Sequence, residues 1–321
     1  MEIGSFLELQ LPKGREFYNQ ETDIARLNTG RMGIWHAFRK TDCKRIWIPV
    51  YQCDSIRKTF EKKGVEMCFY HQDREFNPLD IEAKEDDAIL LVNYYGIMSS
   101  ERMAELAKTY KHVIIDCAQA FFCRPVKGTL MVYSCRKFVG VPDGAYVVGK
   151  DAHQFVDEYP QCYSSDTAVF LLKRIEYGCE GKGYEARSLN EHRIDMEDCM
   201  KMSKLTRTLM DAEDYAYNRQ KRKENFAYAH KQLGGINQIN PTIYMDEDTI
   251  PMVYPLVVED DSLIQKMFTA KHFQGHWWSY ICEEQPAGNF EHWISRYMIP
   301  ITIDQRYGKK EMDYLVKVIK G

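Results

Sequence analysis

The segment His112-Val-Ile-Ile-Asp-Cys-Ala-Gln-Ala-Phe121 opens with a short apolar run and turns polar at Asp116. An apolar run of this length between polar residues predicts a buried strand that ends near Asp116. The segment Thr129-Leu-Met-Val-Tyr-Ser-Cys-Arg-Lys-Phe138 has the same form, with Ser134 and Lys137 after its apolar residues. Each segment therefore places reactive side chains just past a buried strand.

Similar apolar runs recur along the first half of the chain, with stretches of helical pattern between them. They cover residues 45–49, 65–70, 88–93 and 112–116. This alternation predicts an α/β fold in which helices cover both faces of a mostly parallel sheet. Residues 129–134 and 144–148 predict a closing hairpin. A helix is predicted after Asn28 or Thr29, either of which can cap it.

The second half of the chain predicts a long connecting helix followed by a smaller domain. Residues 195–233 contain no proline or glycine, which predicts one long helix or two in succession. Beyond them, two strand patterns and two helix patterns predict a small α+β domain. These are residues 252–258, 262–270, 298–303 and 309–320. We therefore predict a large domain over residues 1–233 and a small one over 234–321.

Composition excludes several classes of partner. The 321 residues carry a formal net charge of −4, which gives no electrostatic basis for binding nucleic acid. No run approaches the roughly 18 apolar residues of a membrane span, so we expect a cytoplasmic protein with small-molecule partners. The ten cysteines are scattered singly, which favours reduced thiols. His272 and His276 have the spacing of one helix face, but no third ligand accompanies them, so no metal site is predicted.

The residues after the two strands match the chemistry of pyridoxal 5'-phosphate. A carboxylate such as Asp116 can hold a protonated pyridine nitrogen, a hydroxyl such as Ser134 can bind the phosphate, and an amine such as Lys137 can form a Schiff base. The helix start at Gly30 could add backbone amides to the phosphate site. The alternatives are that Asp116 caps a turn and that Lys137 is an ordinary surface lysine.

Six segments in this order resemble the DegT/DnrJ/EryC1/StrS family, whose members are mostly nucleotide-sugar aminotransferases of fold type I. The resemblance runs from about residue 26 to the C-terminus. The segments are Thr29-Gly-Arg-Met-Gly-Ile34, Pro49-Val-Tyr-Gln-Cys53, Val92-Asn-Tyr-Tyr-Gly96, Asp116-Cys-Ala-Gln-Ala120, Ser134-Cys-Arg-Lys137 and Ile299-Pro-Ile-Thr-Ile-Asp-Gln-Arg-Tyr307.

The resemblance implies a role for each matched residue. Lys137 would form the Schiff base, Asp116 would hold the pyridine nitrogen, and Gln119 would bond near the ring oxygen. Ser134 and the amides of Gly30 and Arg31 would hold the phosphate. Tyr51 would stack on the ring, or Cys53 would occupy that position, with strand-end packing as the other interpretation of Tyr51.

Two departures from the family pattern bear on these assignments. Ser134 and Lys137 are three residues apart, whereas the common family spacing is five. The family's Asn-x-Arg segment, which often reaches a neighbouring subunit, has its nearest counterpart in Asn190-Glu-His-Arg193, which we interpret as a solvated loop.

The resemblance therefore implies a homodimeric aminotransferase. It would move an amino group from an amino acid, with glutamate the expected donor, to a keto-sugar that is nucleotide-linked, as in polysaccharide biosynthesis. The alternatives are a non-catalytic relative that binds the cofactor or a sugar nucleotide, and a dehydratase. Lys137 counts against the dehydratase, because such enzymes generally replace this lysine.

Overall fold

A computed structural model describes residues 3–19 and 23–321, and its central element is an eight-stranded sheet. The strands are β1 Ile24–Leu27, β2 Arg45–Pro49, β3 Glu66–Gln72, β4 Pro78–Leu79, β5 Asp87–Val92, β6 His112–Cys117, β7 Leu130–Ser134 and β8 Ala145–Val148. They lie in the order β1-β8-β7-β6-β5-β2-β3-β4.

The middle of this sheet is parallel, as the sequence predicts. Strands β3, β2, β5, β6 and β7 all pair in parallel, while β8 returns antiparallel beside β7 and completes the predicted hairpin. Strand β1 was not predicted. Its four residues are too few to show a pattern, and it pairs antiparallel with β8 at the edge of the sheet.

Both faces of the sheet are buried. In β5, Ile89 and Leu91 enter one apolar core, whereas Ala88 and Leu90 enter the other. Burial on both faces explains why the strands read as continuous apolar runs and do not alternate with polar residues.

Helices cover the sheet and continue into the C-terminal region. The first seven are α1 Gly30–Thr41, α2 Asp54–Lys62, α3 Ser100–Ala107, α4 Val169–Tyr177, α5 Lys182–Met196, α6 Lys204–Asp211 and α7 Tyr215–Leu233. The C-terminal region contains β9 Val253–Val257, α8 Leu263–Thr269, α9 Ile281–Glu284, α10 Phe290–Tyr297, β10 Met298–Thr302 and α11 Lys309–Lys320. Strands β9 and β10 pair antiparallel, which confirms the mixed character predicted for this region.

Helix α1 is set close against the sheet. Thr29 caps it, because its hydroxyl accepts a hydrogen bond from the Met32 amide at 3.3 Å. A Cβ on Gly33 would lie 2.7 Å from Val132 Cγ1, so only glycine allows this approach to β7. The close packing holds the N-terminus of α1 beside the carboxyl end of β7.

One long helix or two in succession are predicted over residues 195–233, and the structure has two, α6 and α7, which begin only at residue 204. Helix α5 ends at Met196, and residues 197–203 run beside β1 before α6 and α7 begin. The Asn28 amide donates to Met200 O at 2.9 Å, and the Met202 amide donates to Arg26 O at 3.0 Å. Tertiary hydrogen bonds therefore override the helix propensity of this stretch.

Two further expectations need correction. Asn190-Glu-His-Arg193 is not a solvated loop but part of α5, and Asn190 is buried. His272 and His276 do not share a helix face, since both lie between α8 and α9.

In residues 3–19 and 23–321, no helix is long and apolar enough to cross a membrane.

Candidate active site

The carboxyl ends of the parallel strands bring polar side chains to one edge of the sheet. Gln52 follows β2, Asp116 lies near the end of β6, and Ser134 ends β7. Strands β2 and β5 are neighbours whose connections leave in opposite directions, to β3 on one side and to β6 on the other. Ligands bind at such switch points in open α/β sheets. This edge is therefore the candidate active site.

Asp116 is a buried carboxylate with two hydrogen bonds. Its Oδ1 accepts from the Ala118 amide at 2.8 Å, and its Oδ2 accepts from Gln52 Nε2 at 3.1 Å. Burial raises the pKa of Asp116, although the charge of Lys137 and the two hydrogen bonds act in the opposite direction. No ion pair to Asp116 forms within the described residues. The carboxylate is thus suited to a cation supplied by a ligand.

Lys137 is exposed at the same edge of the sheet, in a single helical turn that follows β7. Its ammonium group makes no hydrogen bond to any part of the chain that the structure describes. The next residue, Phe138, is fixed: its carbonyl accepts from Gln305 Nε2 at 2.8 Å, and the Arg222 guanidinium lies 4.5 Å from its ring centroid. The backbone at Phe138 is therefore fixed, while the side-chain nitrogen of Lys137 has no hydrogen-bond partner in the described chain.

Gly30 and Ser134 form a small cradle at the N-terminus of α1. A Cβ on Gly30 would lie 3.6 Å from Ser134 Cβ and 3.9 Å from Ser134 Oγ, so a larger residue would fill the space between them. The first amides of a helix have no partner within the helix and bind phosphate well. The Arg31 side chain turns away to an ion pair with Asp195 at 2.6 Å, which leaves its backbone amide for the cradle.

Gln119 lies on the loop after Asp116 and is buried. Its Oε1 accepts a hydrogen bond from the Tyr95 amide at 2.8 Å. The structure therefore brings Gln119 to the candidate site, where its carbonyl oxygen also holds the loop after β5. Its predicted contact with the ring oxygen of a cofactor stays a prediction.

Tyr51 lies in an aromatic cluster. Its side chain is fully buried, its hydroxyl bonds to the Tyr95 hydroxyl at 2.7 Å, and its ring meets Trp278 edge-on at 4.6 Å between centroids. This environment matches strand-end packing, and the stacking of Tyr51 on a cofactor ring stays a prediction. Cys53, the other position considered, is half-buried at the start of α2.

Gln52 is the site residue that the sequence analysis missed. It is the neighbour of Tyr51 and contacts Asp116 directly. The Gln52 carbonyl also accepts from the Tyr280 hydroxyl at 2.6 Å, which ties the site to the C-terminal region. Only its position directly after a predicted strand could have identified it, because glutamine has no distinctive spacing or charge.

Gly96 allows the loops of the site to approach one another. It has φ +71°, and a Cβ there would lie 2.5 Å from the Gln119 carbonyl oxygen. We expect Gly96→Ala to lower the free energy of unfolding by about 2–4 kcal/mol, because positive φ and a backbone clash both act. Urea unfolding would measure this.

The matched control is Gly64→Ala, which shares a φ of +68° but has open space around its Cβ position. It should cost only about 1–2 kcal/mol from the backbone alone. Equal losses in the two variants would contradict the role of close packing at Gly96.

Comparison with solved structures places this geometry in a known fold. A sugar aminotransferase from Micromonospora echinospora, CalS13, is 16% identical, with 92% of this chain and 86% of that chain covered at a TM-score of 0.63. Spr1654 from Streptococcus pneumoniae, a protein assigned as a sugar aminotransferase, is 13% identical over 94% of this chain and 88% of that chain, with a TM-score of 0.67. A DegT DnrJ EryC1 StrS aminotransferase from Brucella abortus is 14% identical over 93% and 85%, with a TM-score of 0.63.

These likenesses cover nearly the whole chain and confirm the predicted fold, that of the pyridoxal phosphate-dependent aminotransferases. The Brucella protein carries the name of the family that the six sequence segments resemble. No family model and no curated protein matches the sequence. The likeness to these solved structures is thus one of fold, at 13–16% sequence identity.

Proposed function

We propose that this chain is a pyridoxal phosphate-dependent aminotransferase that moves an amino group from an amino acid, glutamate being the expected donor, to a nucleotide-linked keto-sugar. One observation carries the proposal: buried Asp116, exposed Lys137 and the cradle of Gly30 and Ser134 lie at one sheet edge. The solved structures that share the fold include the sugar aminotransferase CalS13. They also include Spr1654 in two forms, one described with pyridoxal phosphate (PLP) and one with its amine form (PMP).

The residues present fit this cofactor. When bound, pyridoxal phosphate supplies an aldehyde that reacts with amines and a ring that withdraws electrons from the donor's α-carbon. Ser134 and the amides of Gly30 and Arg31 would hold the phosphate. Asp116 would hold the protonated pyridine nitrogen, and Lys137 would move the proton at the donor's α-carbon.

The test is the near-visible absorbance spectrum of the purified protein with added pyridoxal phosphate. We expect a band that borohydride removes, and conversion of the cofactor to its amine form when glutamate or another amino acid is added. A band without any donor-dependent conversion would favour the non-catalytic alternative. A protein that gives no band at all would refute the proposal.

The same proposal includes a homodimer. Helices α4 and α5 carry exposed large apolar side chains, which supports a second copy of the chain as the partner. Leu172, Ile175, Tyr184 and Leu189 are each more than half exposed.

We expect light scattering to give a mass of twice the monomer for wild type. The double variant Leu172→Glu with Ile175→Glu should shift toward the monomer. The control is Leu7→Glu, because Leu7 is exposed and lies outside α4 and α5.

The expected compartment is the cytoplasm. All ten cysteines carry free thiols, and six of them are half-buried rather than enclosed in a core: Cys43, Cys53, Cys68, Cys123, Cys179 and Cys282. Free thiols of this kind are typical of proteins kept in a reducing compartment.

A further inference from the structure

The connection between β10 and α11 contacts the turn that carries Lys137. Residues 303–308 form this connection and complete the sixth segment of the family resemblance. Gln305 Nε2 donates to the Phe138 carbonyl oxygen at 2.8 Å, across 167 positions of the chain. Because Phe138 directly follows Lys137, a side chain of the C-terminal region reaches the backbone next to the predicted reactive lysine.

The turn itself leaves the Phe138 carbonyl without a partner. Residues Cys135–Lys137 form a single helical turn. Its last hydrogen bonds run from the Phe138 and Val139 amides to the Cys135 carbonyl, at 3.0 and 2.9 Å. In the described residues, Gln305 is the one donor to the Phe138 carbonyl. The far end of this short turn is therefore fixed by a distant side chain.

Helix α7 holds both partners of this hydrogen bond in place. Asn225 is buried, and its Nδ2 lies within 3.3 Å of three backbone carbonyl oxygens around Gln305, those of Ile303, Asp304 and Tyr307. Three residues earlier on the same helix, the Arg222 guanidinium lies 4.5 Å from the centroid of the Phe138 ring. Gln305 and Phe138 thus meet on a common support.

Packing alone does not account for a glutamine at position 305. Gln305 Oε1 is buried and accepts no hydrogen bond within the described residues, and an acceptor buried in this way destabilises a folded protein. Methionine has nearly the same length and would fill the same space without that penalty. The bond from Nε2 to Phe138 is therefore the contribution that only the amide makes.

We infer that Gln305 is a positioning residue, which acts through Phe138 to fix the direction in which the Lys137 side chain leaves its turn. The inference rests on the proposed function, in which Lys137 reacts with the aldehyde of the cofactor. The lysine stem is flexible, so the backbone is the part of its geometry that the fold can set in advance. Small misplacements of a reacting group lower a rate strongly. The C-terminal region thus supports a turn that is shorter than the common family form.

The experiment measures how fast the borohydride-sensitive band appears when pyridoxal phosphate is added to the full chain. We expect Gln305→Met to form the band about 5- to 10-fold more slowly than wild type, which corresponds to the loss of one hydrogen bond. The affinity for pyridoxamine phosphate, measured by calorimetry, should not change. This amine form of the cofactor cannot react with a lysine, so it reports on the rest of the site alone.

Arg306→Met is the matched control. Arg306 is the neighbour of Gln305 in the same connection, its side chain is more than half exposed, and its guanidinium pairs with Asp304 at 2.7 Å. It makes no hydrogen bond to Phe138 in the part of the chain that the structure describes. An exposed ion pair contributes little to stability, so this variant should form the band at the wild-type rate.

The inference is overturned if Gln305→Met forms the band as fast as wild type. It is also overturned if the affinity for pyridoxamine phosphate falls as much as the rate does, because the loss is then a general disruption of the site. Should Gln305→Met fail to fold, Gln305→Asn decides the same question, since its shorter amide does not reach the Phe138 carbonyl. Failure of the proposed function is a different result, in which wild type itself gives no band.

Discussion

Lys137→Ala is expected to lose aminotransferase activity by about 10²–10⁴-fold, the range for a residue that moves a proton in the reaction. The lysine is exposed at the edge that holds Asp116, and its amine has no hydrogen-bond partner in the described chain. It is therefore free to react with an aldehyde, which an alanine cannot do.

The measurement combines rate and covalent labelling. Borohydride treatment should attach one cofactor to wild type, seen as a mass increase in the peptide that contains Lys137, and should attach none to the variant. The control is Lys127→Ala, an exposed lysine on the loop before β7, which should keep both rate and labelling. Labelling that persists in Lys137→Ala would show that another lysine carries the chemistry.

Asp116→Asn is the second large effect, with activity expected to fall by about 10²–10³-fold. Asparagine keeps the shape of aspartate but cannot hold a positive charge on the pyridine nitrogen. Breaking a buried ion pair costs about 3–5 kcal/mol, and each 1.4 kcal/mol is a factor of ten in rate. The measurement is the rate of each half-reaction with saturating cofactor.

The stability of Asp116→Asn should rise relative to wild type, although its activity falls. Burial raises the pKa of Asp116 in the folded protein, so the ionised form carries a cost that the neutral amide does not. Below the unfolded carboxyl pKa of about 3.9 that cost is absent. As the pH rises above this value toward and past the raised folded pKa, wild type should lose stability relative to Asp116→Asn. Urea unfolding at several pH values would measure this.

Asp87→Asn is the matched control. Asp87 is also buried, but at the other end of the sheet, where β5 begins. Burial acts to raise its pKa, yet hydrogen bonds from Arg45, the Lys84 amide and Trp47 outweigh it and hold the pKa at about 2. We therefore expect Asp87→Asn to keep activity and lose stability above pH 4. The same outcome for both aspartates would contradict a special role for Asp116.

The sheet was predictable because its signal is local. Continuous apolar runs at residues 88–92 and 113–115 are buried on both faces of the sheet, and the polar residue after each run, Asn93 or Asp116, marks the edge of the sheet. The cap at Thr29 was predictable for a similar reason, since it depends on residues three positions apart.

Other features depend on contacts between distant residues. Residues 197–203 have a helical composition, but hydrogen bonds to Arg26 and Asn28 keep them out of a helix. In the sequence, Tyr51 is the natural candidate for a contact with a cofactor, and Gln52 has no distinguishing feature. The structure shows that Tyr51 packs against Tyr95 and Trp278, whereas Gln52 reaches Asp116.

The sequence by itself determined the parallel sheet, the position of Asp116 and Lys137 at the carboxyl ends of their strands, and the resemblance to a family of enzymes. These depend on apolar runs and on spacings within a few residues. Only the tertiary structure decided that Gln52 reaches Asp116. It also decided that two carboxylates of α5 form ion pairs, Asp195 with Arg31 and Glu191 with Arg136. Both decisions join residues more than fifty positions apart, and no local pattern in the chain encodes a contact over that distance.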